Sequence, residues 1–167
     1  MNSLTRRYRR NPRPHERLWK DRCVDKNLKD EWLIRLNALQ AFNLVSICEG
    51  HDSPARRPPH IHLRLKEEYF PIVSDEWHRS GQTMSRLINS LFSTEATKIE
   101  IELKEVFQKW QGRYNYKQDF TARIRCRINS ESQSIQTCVV NWFQSIIPEI
   151  QELDTLIFDL CMEKTDL

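Results

Sequence analysis

Glycine is scarce, with three residues in a chain of 167. With so few, no glycine-rich phosphate loop can be assembled. Neither a Gly-x-Ser-x-Gly nucleophile turn nor a His-Glu-x-x-His helix occurs, which removes the commonest nucleotide-, ester- and peptide-directed chemistries. The five cysteines (Cys23, Cys48, Cys126, Cys138 and Cys161) are odd in number and widely spaced, without a Cys-x-x-Cys pair. A secreted disulfide framework uses an even, denser set, so a reducing, cytoplasmic compartment is expected. No apolar run follows the N-terminal arginines and none reaches the length of a membrane span, so neither a secretory signal nor a membrane partner is expected.

What is present suffices for a core. Hydrophobic residues make up 39 % of the chain, with five Trp and seven Phe. That apolar surface offsets chain entropy, and the length suits one domain rather than two. Charge is distributed unevenly. Residues 1–22 hold eight basic against two acidic side chains, a net +6, whereas the remainder holds 18 against 21, a net −3. Residues 1–25, with Pro12 and Pro14 among arginines and no apolar periodicity, read as a basic extended arm, and residues 26–167 as a single domain.

From Asn27, placed as an N-cap, Leu28, Trp32, Leu33, Leu36 and Leu39 recur at helical spacing. Residues 43–48 and 58–66 read as a hairpin around the loop 49–57. A second helix runs from Pro71 and Ser74 through Trp77, Met84 and Leu91, weakened at Gly81. Residues 98–106 and 120–128 alternate as a second hairpin around the loop at Gly112. Ser130 or Ser132 caps a last helix striped by Ile135, Val139, Trp142, Phe143, Ile146, Ile150, Leu153 and Ile157, with a kink expected at Pro148. The pattern predicts an α+β fold: a four-stranded antiparallel sheet from two β-hairpins, in helix-ββα-ββα order, with helices packed on one face.

Strand alternation then sorts the side chains of the sheet. With Val45, Ile47, Ile61, Leu63 and Leu65 turned toward the helices, Ser46, Cys48, His60, His62, Arg64 and Lys66 face away. Arg123, Arg125 and Arg127 project to that side from the second hairpin, alongside Lys98, Glu100, Glu102 and Lys104. Like charges repeated along one strand repel unless something compensates them, which points to an anionic ligand. Arg6, Arg7, Arg9 and Arg10 reinforce this, because clustered arginine releases counterions when it meets phosphates.

Cys48-Glu49-Gly50-His51 is the most specific local motif. Cys and His three apart across a glycine turn can chelate one ion, and His60 or His62 returning on the partner strand would complete an N/S set suited to zinc. Cys48 as a nucleophile, activated by an imidazole oriented by Glu49 or Asp52, is a further reading, set against the tendency of cysteine simply to be buried. Cys126 and Cys138 fall on apolar sides and read as core, His78 reads as helix surface, and Tyr114 and Tyr116 are placed in a loop where they can stack on bases.

The leading expectation is a small binding module that contacts nucleic acid or another polyanion through Arg6, Arg7, Arg9, Arg10, Arg64, Arg123, Arg125 and Arg127. The alternative is a metal-binding protein or enzyme centred on Cys48, His51, His60 and His62, with zinc as its cofactor. The apolar last helix also offers a face for a homodimer.

Overall fold

Alternation of apolar and polar side chains builds the central sheet. In a computed structural model, which describes residues 11–20, 22–52, 57–76, 78–79, 97–110, 113–127 and 135–165, it is a four-stranded antiparallel sheet in a mixed α/β architecture. Arg6, Arg7, Arg9, Arg10, Gly81, Met84, Leu91, Gly112, Ser130 and Ser132 lie outside the described residues.

The later part of the segment that the sequence suggests is an extended arm is structured. Strands β1 (Glu16–Trp19) and β2 (Arg22–Asp25) pair antiparallel through a tight turn in which Lys20 takes φ 51°. The driving force is burial of Trp19 and Val24 in the core. Helix α1 (Asp30–Asn37) begins later than its apolar spacing suggests, with Asp30 and Glu31 at the positive end of its dipole. Leu28 and Leu39 are buried from the turns on either side, which is why they extend the apparent period. Asn27 is not its cap; the backbone and side-chain amides of Asn27 both donate to the Glu49 carboxylate, each at 3.2 Å.

Strands β3 (Phe42–Cys48) and β4 (His60–Leu65) form a hairpin, and β5 (Thr97–Trp110) and β6 (Arg113–Cys126) form a longer one of 14 residues a side. Tyr114 and Tyr116 thus belong to a strand rather than a loop. The sheet order is β3-β4-β6-β5. Between Leu44 and Ser46 the β3–β4 register shifts, so Val45 forms a bulge instead of turning inward. The extra residue lets Phe42, Leu44 and Ile47, which are not in strict alternation, all pack toward the core.

After β4 the chain makes a 3-10 turn (Glu67–Tyr69) and a helical stretch, α2, over 70–76. The last helix, α3 (Ile135–Thr165), carries Pro148 within it. Its predicted stripe is buried throughout, from Ile135 to Ile157. The core joins that stripe to Ile61, Leu63 and Ile124 of the sheet and to Trp32, Leu33 and Leu36 of α1, with the rings of Trp32 and Phe143 stacked 5.1 Å apart. Cys126 is part of this core and His78 is exposed, as their positions in the sequence suggest, while the side chain of Cys138 lies outside the described residues. No helix among the described residues is long and apolar enough to cross a membrane.

Candidate functional site

The register of the sheet brings its polar side chains into rows. Cys48 pairs with His60 and His60 with Arg125; in the next row Ser46 pairs with His62 and His62 with Arg123. Directly paired residues put their side chains on the same face, so the two rows make one surface. Ser46, Arg57, Pro58, His60, His62, Arg123 and Arg125 line a groove of about 370 Å³ there. Glu100 approaches from β5, its carboxylate 3.6 Å from the Arg125 guanidinium. Burial pushes the His60 imidazole below its ordinary value; the Pro58 carbonyl, 3.3 Å from Nδ1, opposes this, and the Arg125 charge adds to it. Arg64 lies one row further along, paired with Asn43 and Thr121, and Arg127 is exposed just beyond the end of β6.

At the Cys48 end of this surface a second set of groups converges. Cys48 Sγ is 3.3 Å from His51 Nε2, and the same nitrogen is 3.7 Å from Asp25 Oδ1. One donor atom each from His15, Asp25 and His51 lies within 4.8 Å of the others, the only such grouping of three or more among the described residues. The His15 and His51 rings meet edge to face at 5.0 Å. The loop after β3 is held in place by Asp25, whose Oδ2 accepts the Glu49 amide at 2.9 Å, and by two backbone hydrogen bonds between His51 and Arg57. Gly50 takes φ +88°, and a Cβ there would come within 2.8 Å of Ile135 Cγ2 and 2.9 Å of both the Arg57 carbonyl and Pro59 Cδ, so only glycine fits.

This arrangement does not suit Cys48 as a nucleophile. Burial, reinforced by the negative charges of Asp25 and Glu49 against the Gly50 amide, pushes its thiol up to about 12, so it is not a thiolate near neutrality. A relay also needs the orienting carboxylate on the imidazole nitrogen remote from the sulfur, whereas Asp25 and Cys48 share Nε2. Glu49, read as an orienting acid, is engaged by Asn27 instead.

Of the residues singled out as a metal set, Cys48 and His51 come together, His60 lines both their pocket and the basic groove, and His62 lines the basic groove. His15 and Asp25 join Cys48 and His51 in that pocket. Sequence reasoning passed over both because they belong to a stretch without apolar period, and only the pairing of β1 with β2 carries them to the Cys48 loop.

No family model, curated protein or solved structure matches the chain. Function must therefore be argued from the site itself.

Proposed function

We propose that this protein is a binding module for nucleic acid or another polyanion, held on the basic face of its sheet and embraced by the arginines of its N-terminal arm. The observation that supports this best is the cross-strand pairing of His60 with Arg125 and His62 with Arg123, which lines one groove with five basic side chains once Arg57 is included. Guanidinium forks suit phosphate oxygens, and imidazole N–H groups can donate to them as well. A groove of about 370 Å³ is in the range that accepts a phosphate with part of its sugar. In this reading the helix-ββα-ββα order keeps the helices behind the apolar face and leaves the opposite face to the ligand. Arg64 and Arg127 extend the binding surface along the sheet, and Arg6, Arg7, Arg9 and Arg10 follow the strand outward. Cys23, Cys48, Cys126 and Cys161 are thiols rather than disulfides, which fits a cytoplasmic setting.

Fluorescence anisotropy with single-stranded RNA, single-stranded DNA and duplex DNA over a salt series tests the proposal. Binding should weaken steeply with salt, and Arg123→Ala with Arg125→Ala should lower the slope of log K against log salt by about 1.4–1.8, since each phosphate left without its arginine takes about 0.7–0.9 from the slope. Absence of binding at low salt, or affinity unchanged in the double variant, would refute it.

A further inference from the structure

We infer that His15, Asp25, Cys48 and His51 together bind one divalent ion of the zinc class, at a centre that clips the β1–β2 hairpin to the end of β3. The donors come from three places in the chain: His15 ahead of β1, Asp25 at the end of β2, and the Cys48–His51 turn. The separations from His51 to Cys48 and to Asp25 match what one small ion requires. Donors placed 2.0–2.3 Å from a tetrahedral centre stand about 3.3–3.8 Å apart. Cys48 Sγ to His51 Nε2 is 3.3 Å and His51 Nε2 to Asp25 Oδ1 is 3.7 Å; His15 joins Asp25 and His51 within 4.8 Å, and Cys48 borders that group of three through His51.

The way these contacts are directed matters as much as their length. Cys48 Sγ and Asp25 Oδ1 both approach Nε2 of His51, so one ion set among the three atoms would meet them from a single side of the ring.

The donor set also selects among ions. Two imidazoles, a carboxylate and a thiolate, formed as the incoming ion displaces the Cys48 proton to solvent, are too soft for magnesium or calcium, which take oxygen ligands, and too poor in thiolate for an iron–sulfur cluster. They suit zinc, with cobalt(II) as its spectroscopic substitute.

Groups behind the ligands hold them in place. Asp25 is 6 % exposed and spends Oδ2 on the Glu49 amide, which leaves Oδ1 for the ion. The Gly50 amide points at Cys48 Sγ from 3.4 Å, the kind of contact that orients a ligating sulfur. His15 is exposed and closes the site from the solvent side, giving the ion a way in.

The test uses the full chain without nucleic acid, so its outcome is independent of the polyanion reading. Elemental analysis after purification without chelators should find about one zinc per chain. Cobalt(II) added to the chelator-stripped protein should give visible ligand-field bands of a tetrahedral centre and a sulfur-to-cobalt charge-transfer band, and Cys48→Ser should abolish the latter. His15→Ala, at an exposed position where the fold does not depend on the side chain, should weaken cobalt binding at least about tenfold with the far-ultraviolet circular dichroism unchanged. His78→Ala, at an exposed position outside the cluster, should leave the spectrum as it is. A protein that binds neither metal would overturn the inference. So would cobalt bands that survive His15→Ala but vanish in His60→Ala, which would place a site on the β3–β4 hairpin alone.

Discussion

Asp154 of α3 holds the chain where it enters β3, and replacing it measures how far the helix fixes the sheet. Its carboxylate accepts three consecutive backbone amides: Gln40 on Oδ2 at 2.7 Å, and Ala41 and Phe42 on Oδ1 at 2.8 and 3.0 Å. Asp154 is 4 % exposed, Ala41 and Phe42 are 0 % and 2 %, and Gln40 is exposed. In Asp154→Ala the Gln40 amide can turn to water, but the amides of Ala41 and Phe42 remain in the core without an acceptor. At roughly 1–3 kcal/mol for each of the two buried unsatisfied groups, the loss is about 2–6 kcal/mol, a large part of the roughly 5–15 kcal/mol that holds a domain of this kind together. Asp154→Asn should cost less, about 1–2 kcal/mol, because its carbonyl oxygen can still serve Ala41 and Phe42 while its NH2 opposes only Gln40. Urea unfolding followed by tryptophan fluorescence, with an unchanged denaturant slope, gives both values. A loss below about 1 kcal/mol in Asp154→Ala, or equal losses in the two variants, would show that the carboxylate is not what anchors β3.

Two further predictions concern the site loop and α3. Gly50→Ala combines a left-handed backbone with a Cβ pressed against Ile135, Arg57 and Pro59, and should lower stability by about 2–4 kcal/mol in the same urea assay; a loss under about 0.5 kcal/mol would mean the loop repacks freely. Glu149 has its Oε2 buried without a hydrogen-bond partner among the described residues, and burial first, then the charge of Glu152, holds its carboxyl above the ordinary value. The native state therefore keeps its proton to higher pH than the unfolded chain does. The resulting stability is complete below the ordinary carboxylate pKa and is lost as pH rises through the raised one. Glu149→Gln should remove that decline and stabilise the protein at neutral pH by less than about 1 kcal/mol, since the group is partly screened by solvent. Parallel Tm profiles of the two proteins from acid to neutral pH would contradict this.

The parts of the fold that were legible are those in which each residue reports on one period. Ile61, Leu63 and Leu65 alternate with His60, His62 and Arg64, and the burial of the first three follows directly. The α3 stripe is equally plain, because a helix of 31 residues repeats its signal many times. The bulge at Val45 was not legible. Phe42, Leu44 and Ile47 break the period by one residue, and only the pairing with Leu65, Leu63 and Ile61 shows that all three turn inward.

The β1–β2 hairpin was hidden for a different reason. Its strands are four residues long, and their apolar signal reduces to Trp19 and Val24, too little to establish any alternation. The same limit divides the proposed metal cluster into a readable half and an unreadable one. Cys48 and His51 are three residues apart, so local geometry alone suggests that they share a ligand. Asp25 stands 23 positions before Cys48 and His15 stands 33 before it. What joins them is tertiary: Trp19 and Val24 seat the hairpin in the core, and Asp25 then reaches the Glu49 amide with one oxygen and faces His51 with the other. The hydrophobic anchor of the hairpin and the carboxylate it supplies are thus adjacent residues of β2, and on the inference of a metal centre, destabilising Val24 in the core should weaken cobalt binding.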